Sequence, residues 1–338
     1  MMKSPYLDNI ETSCPTSQIS KPLHIKDSAT SEEEKLYIFD LEKYKLLSIK
    51  TSTSIEDFSD IDDLRSKANN IRLCGSDVGI VGNKIVSANF CRHRLCPMCQ
   101  RRKSLKVYSD FCRIYEDLKD YAFLHLVLTV PNCVGPDLSE TIDLMQKCSS
   151  RFFNHSDIKR VFVGVARCLE VTYNSKTITF HPHYHCLVAV KKSYFTSRYY
   201  LKRDRLVNIW SAIWCMRWGN VRKIKDSMID SYNLVNGSHL QLYVAKADSG
   251  ALPEIAKYAV KPLDLNLTNK ERALVLDVLY KGLKNRRLIQ TYGVIKDSAK
   301  KLKINLDDDS EDLTIDKDKL SLYTYNYRLL HYEKGDLI

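Results

Sequence analysis

Glycine and proline are scarce, at 11 and 9 in a chain of 338 residues, which excludes collagen-like and Gly/Pro-rich low-complexity classes. No long hydrophobic run is present. The most apolar stretch, Ala122 to Val130, falls far short of the roughly 20 residues a bilayer span needs, so no membrane partner is expected. Met1 to Ile10 holds no apolar core of signal-peptide length, and the chain is expected to stay in the cytoplasm. Disulfide-scaffold density is missing too, because the 11 cysteines are odd in number and spread along the chain. In a reducing compartment they read as buried thiols or metal ligands. Cys112, Cys148, Cys186 and Cys215 lie in apolar surroundings and read as core filler.

A hydrophobic fraction of 44%, with 20 Tyr, 10 Phe and 3 Trp, excludes disorder throughout. The length suits one large domain or two moderate ones. Lys and Arg number 52 against 41 Asp and Glu, a net charge of +11. Such an excess points to a polyanionic partner. Acidic residues gather towards the ends, at Glu32 to Glu34, Glu56 to Asp63 and Asp307 to Asp318, so the middle is more basic than the average. There cations stand beside aromatics, as in Arg198-Tyr199-Tyr200-Leu201-Lys202-Arg203, a mixture suited to phosphate contact and base stacking.

Periodicity predicts helices over Ser31–Leu47, Leu105–Lys119, Leu138–Phe153, Tyr200–Trp214, Pro253–Lys261 and Asn269–Leu283. Ser31 to Glu34 reads as a capping box. Thr51 to Asp63 reads as an acidic linker, and residues 70–104 as loop-rich. Strands are expected over Phe123–Val130, Val161–Tyr173, Ile178–Val190 and Leu240–Lys246, the middle two joined as a hairpin. The fold class is α+β, a largely antiparallel sheet flanked by helices, with a Cys-rich element before it. Four segments follow: 1–68, a polar and acidic extension with one amphipathic helix; 69–120, the Cys-rich element; 121–297, the domain that holds the expected sheet; and 298–338, an acidic C-terminal segment.

His181, His183 and His185 occupy alternate positions of one expected strand and share a face. Two imidazoles at i and i+2 can converge on one cation. Glu170, in an otherwise apolar strand where an unpaired carboxylate is costly, is the candidate third ligand. A four-residue loop, Asn174 to Thr177, pairs Glu170 with His181 and sets it diagonal to His183, whereas an odd loop turns it to the other face. Further on, Glu254, Tyr258 and Lys261 fall on one helical stripe. Upstream, Cys91, Cys96 and Cys99 form a cluster in which Cys96-Pro97-Met98-Cys99 has the form of a zinc knuckle and the four-residue gap after Cys91 is less usual, with Cys74 or His93 as the fourth ligand. Arg101, Arg102 and Lys103 trail the cluster, suited to DNA phosphates.

The order of these motifs resembles the rolling-circle replication initiators of small bacterial plasmids, the single-tyrosine Rep family within the His-hydrophobic-His endonucleases. The resemblance runs from Cys74 to Asp297, roughly two thirds of the chain. It rests on the Cys cluster, the strand ending Leu128-Thr129-Val130-Pro131-Asn132, the His-Pro-His-Tyr-His strand, the Lys-Tyr-Ala-Val-Lys helix, and Lys284-Asn285-Arg286-Arg287. It implies that His183, His185 and Glu170 hold Mg²⁺ or Mn²⁺, with His181 as a neighbour. It implies that Tyr258 attacks the scissile phosphate, with Lys261 as its companion and Glu254 as general base for closure. Cys74, Cys91, Cys96 and Cys99 are then expected to hold a structural Zn²⁺, and Arg286 and Arg287 to contact DNA. The implied partners are plasmid origin DNA and the host helicase and replication machinery. A transposase or relaxase with the same site, or a catalytically dead zinc-containing DNA-binding regulator, are the alternative readings.

Overall fold

The structure, a computed structural model, describes residues 31–81, 84–216, 242–256, 267–306 and 320–335. Helix α1 (Ser31–Phe58) is followed by short α2 (Asp62–Arg65) and α3 (Ala68–Leu73), then strands β1 (Asp77–Val81) and β2 (Lys84–Ala88) and helix α4 (Pro97–Asp117). Strand β3 (Tyr121–Thr129) leads to α5 (Leu138–Asn154) and α6 (Ser156–Val161), then the hairpin β4 (Phe162–Asn174) and β5 (Thr179–Lys191). Next come α7 (Arg203–Cys215), β6 (Leu242–Ala247), α8 (Leu252–Ile255), α9 (Asn269–Leu283), β7 (Ile289–Tyr292) and α10 (Gly293–Lys301). A last hairpin, β8 (Ser321–Asn326) and β9 (His331–Lys334), closes the described chain.

Among the described residues every strand pair is antiparallel, in line with the largely antiparallel sheet expected from the sequence. The larger sheet runs β6-β3-β5-β4-β7 and the smaller β2-β1-β8-β9. Both faces of the larger sheet are covered, which is why its central strands read as nearly continuous apolar runs. Leu124, Leu126, Leu128, Cys186 and Val188 face α5 and α7, where Phe152 and Trp210 are buried. On the opposite face Phe123, Ala166, Cys168, Leu187 and Ala189 pack with Phe111 of α4, Leu252 and Ile255 of α8, and Ile295 of α10. The side chains alternate between these two cores with period two.

Three segments differ from the reading of the sequence. The expected linker from Thr51 is the last part of α1, which runs unbroken to Phe58. Ser48, Ser52 and Ser54 are buried beside Ile55, and the Ser52 hydroxyl donates to the Ala68 carbonyl at 2.7 Å. A face built of satisfied hydroxyls carries no apolar periodicity to read. The stretch 70–104 contains α3, β1, β2 and the start of α4, and the C-terminal segment contributes β8 and β9 to the same sheet. Lys45 of α1, fully buried, stitches these pieces together. Its ammonium lies within hydrogen-bond distance of four oxygens, the carbonyls of Arg72 (2.6 Å) and Cys74 (2.9 Å) and the hydroxyls of Ser76 (2.9 Å) and Tyr327 (3.1 Å), which share its three N–H groups.

The junction between β7 and α10 is made by Gly293 at φ +55°. A Cβ there would overlap the Val163 carbonyl oxygen on β4, and the backbone lies where L residues are strained. Gly293→Ala is therefore expected to lower the unfolding free energy by about 2 kcal/mol or more, read by urea denaturation. An unchanged midpoint would show that β7 can shift away from β4 at no cost.

Candidate metal centres

The β4–β5 turn decides the first centre. Asn174 pairs with Thr179, Tyr173 with Phe180 and Glu170 with His183. The expected pairing of Glu170 with His181 is therefore moved by two residues. The turn spans Ser175 to Ile178, with the Asn174 carboxamide oxygen accepting the N–H groups of Lys176 (3.0 Å) and Thr177 (3.3 Å), and Ile178 taking φ +54°. A slip of two preserves the face, so Glu170 still meets the histidines, directly across rather than diagonally.

Glu170 has no exposure to solvent. One of its oxygens, Oε2, lies 3.1 Å from His183 Nε2 and 2.9 Å from His185 Nε2. Burial alone would raise its pKa, but the hydrogen bonds and charges of His183 and His185 outweigh burial and hold the carboxyl below its usual range. Donors bound at about 2.1 Å and at right angles around an ion sit about 3 Å apart, so this spacing fits a single small divalent cation. Each imidazole has its other nitrogen accounted for. His183 Nδ1 lies 3.1 Å from the His181 carbonyl oxygen, and His185 Nδ1 lies 3.2 Å from Nε2 of His125. His125, buried on β3, went unnoticed in the sequence, where it is a single histidine in an apolar run. His181 stands beside His183, with ring centroids 5.0 Å apart, and lies outside the converging group of three.

The second centre joins Cys74, Cys91, Cys96 and Cys99, whose sulfurs all lie within 4.8 Å of one another. Cys74 follows α3, Cys91 follows β2, Cys96 caps α4 and Cys99 sits in its first turn. Gly75, at φ +66°, makes the turn after Cys74, with Met98 packed where a Cβ would go. Cys74 and Cys99 sulfurs are 3.5 Å apart and those of Cys91 and Cys99 3.7 Å. Tetrahedral bonds of about 2.3 Å to sulfur place the sulfurs about 3.8 Å apart, so the four fit a closed tetrahedral ion. Burial opposes charge on Cys96, but hydrogen bonds from the other three thiols outweigh it and bring its pKa well below the ordinary thiol value. The fourth member is Cys74; the His93 ring instead stacks on Tyr280 at 6.2 Å.

The other expected site residues divide. Tyr258 and Lys261 lie outside the described residues. Glu254 is half-buried on α8, whose Leu252 and Ile255 pack on the face of the sheet that carries the histidines. Arg101 turns towards α1, its guanidinium 2.7 Å from Asp40 and over the ring of Tyr37. Arg102 lies over Phe90, and Lys103 is buried. Arg286 clamps α9 to α5, pairing with Asp143 and donating to the Ser139 and Gly282 carbonyls. Arg287 is exposed. Among the described residues no helix is long and apolar enough to cross a membrane.

Residues 82–332 match the family model described as replication protein, well over half of the chain. The chain belongs to the replication protein family. It is 30% identical over 271 residues to the "Protein rep" of Streptococcus pneumoniae serotype 2 (strain D39 / NCTC 7466), covering 77% of this chain and 79% of the relative. It is 32% identical over 256 residues to a "Protein rep" of Bacillus sp, covering 73% and 82%. No solved structure matches it. The family bears out the resemblance to plasmid replication initiators, and the rolling-circle type is consistent with it.

A metal-binding imidazole donates its other N–H to a partner that fixes its ring, and loss of that partner typically costs about 10–100-fold in metal affinity. His125→Phe keeps a ring and removes the acceptor beside His185. Mn²⁺ affinity measured by titration calorimetry is expected to fall by about that factor. Equal affinity would mean that the strand alone orients His185.

Proposed function

We propose that this replication protein is a rolling-circle initiator that nicks one strand of a plasmid origin through Tyr258. The convergence of Glu170, His183 and His185 on one sheet face, with α8 packed on that face and Tyr258 following it in sequence, carries the reading. The three ligands would hold Mg²⁺ or Mn²⁺, which when bound polarises the scissile phosphate and neutralises charge on its oxygens. The Tyr258 oxygen attacks phosphorus as the bond from phosphorus to the 3′ oxygen breaks. The phenolic proton passes to solvent, the departing oxygen takes a proton back from solvent to become the 3′-OH primer, and a 5′-phosphotyrosine remains. Lys261, three residues after Tyr258, is suited to stabilise the phenolate. Glu254, four residues before Tyr258, is suited to take the proton of the nucleophile that later closes the strand. Cys74, Cys91, Cys96 and Cys99 would hold a structural Zn²⁺ that fixes α3, β2 and α4 to one another. Origin DNA is the partner on this reading, and the 3′ end it creates is passed to host helicase and polymerase in the cytoplasm.

Tyr258→Phe is expected to abolish the covalent protein–DNA adduct on denaturing gels while origin binding persists, since only the nucleophilic oxygen is lost. Adducts persisting in that variant would move the nucleophile to Tyr243, which lies exposed beside His125 with ring centroids 5.6 Å apart. His183→Ala with His185→Ala, or excess chelator, is expected to remove nicking and spare binding. Full nicking under chelation would sink the metal role.

Purified protein is expected to carry about one zinc per chain. Cys96→Ser is expected to release it and to expose α4 to protease, because metal binding and local folding are coupled. Active protein without zinc would overturn the structural-zinc reading.

A further inference from the structure

The loop after β5 carries a second surface suited to DNA. From Lys191 to Arg203 there are five cations and no acid. The segment opens with a 3₁₀ turn, Lys192–Thr196, and is held by buried Tyr194. The Tyr194 hydroxyl donates to the Leu201 carbonyl at 3.3 Å and accepts the Leu201 N–H at 3.2 Å, so both ends of the loop are fixed to one side chain. Three aromatic rings are left outside: Phe195 is 38% exposed, Tyr199 38% and Tyr200 47%. Cations crowd them. Lys246 lies over Phe195 at 5.7 Å, and Arg160 and Arg198 over Tyr199 at 5.0 and 4.8 Å. Asp157, the acid of neighbouring α6, is engaged by Arg205 at 2.9 Å, and Asp204, next in the chain, lies 4.0 Å from Arg203, so the remaining cations leave the patch positive.

The position of the patch follows from strand register. Val127 pairs with both His185 and Tyr243, so Tyr243 lies on the histidine face of edge strand β6. Lys246, three residues later, points to the other face and meets Phe195. The patch therefore lies at the end of β5 away from the histidines, about 20 Å along the strand from His185 at roughly 3.3 Å per residue. An edge strand with Tyr243 on one face and Lys246 on the other joins the two.

We propose that Phe195, Tyr199 and Tyr200 form a stacking platform for single-stranded DNA, held by the surrounding cations through its phosphates. The strand would cross the β6 edge past Tyr243 to the Glu170–His183–His185 centre. The proposal rests on the nicking reading for its use, but its binding is measurable without it. Unpaired bases stack on aromatic side chains in any sequence, whereas a duplex hides its base faces, so the platform should separate the two forms.

The test is fluorescence anisotropy of labelled 20-nucleotide oligo-dT, and of a 20-base-pair duplex, with the full chain in excess chelator. Tyr199→Ala with Tyr200→Ala is expected to weaken oligo-dT binding about tenfold or more and duplex binding less than twofold. The Tyr→Phe pair should retain wild-type affinity. Lys192→Gln with Arg198→Gln, both exposed and expected to leave folding intact, should reduce the salt slope for oligo-dT by about 1.4. Unchanged oligo-dT affinity in the alanine pair, or equal loss for both DNAs, would overturn the platform. If the alanine pair loses its melting transition, an unchanged salt slope in the glutamine pair overturns it instead. Adduct formation by the wild type, scored separately, tests the nicking reading: a platform that binds beside a protein that forms no phosphotyrosine refutes that reading alone.

Discussion

A carboxylate removed from water governs this molecule. Glu170 is enclosed between two cores of the larger sheet, where an unpaired negative charge would cost several kcal/mol. Its charge is acceptable only because two imidazoles of the next strand converge on one of its oxygens. That convergence requires β4 and β5 to pair in the register observed. A slip of one residue would put Glu170 on one face and the histidines on the other. The hairpin turn, the alternation of β5 and the packing of α4, α8 and α10 on the histidine face all serve that single pairing.

The second constraint is long-range and involves a buried cation. Lys45 donates to groups 27 to 282 residues away, and burial lowers its pKa against the help of Tyr327. The carbonyls it satisfies belong to the turn that delivers Cys74, so α1, the cysteine centre and the C-terminal hairpin share one polar core. Tyr332 adds to it by donating to the Gly75 carbonyl. In this region buried polar contacts do what a larger apolar core would do elsewhere, which leaves the segment looking hydrophilic in the sequence.

The basic residues also sort by environment. Arg286 and Arg101 follow motifs suited to phosphate contact, yet each is held by an acid on a neighbouring helix. A planar guanidinium serves as well to bridge two helices as to grip a phosphate. The cations around Phe195, Tyr199 and Tyr200 are placed differently. They sit over exposed rings on a loop fixed by a buried tyrosine, with the adjacent acid already paired.

The sequence by itself determined the α+β class, the β3, β4 and β5 strands, and α9, expected at the residues where it is found. Period-two and period-3.6 patterns are local, and they survive because each element buries its own apolar face. The sequence also determined which residues have metal-ligand chemistry, since histidines at alternate strand positions share a face whatever the rest of the chain does. Tertiary structure decided what local patterns cannot hold. It chose the turn that sets Glu170 across from His183, brought His125 to His185 through strand pairing 60 residues apart, and selected Cys74 over His93. It also extended α1 through a serine-rich face and recruited β8 to pair with β1, with β9 beyond it on β8, because satisfied buried hydroxyls and long-range ladders leave no periodic apolar signal.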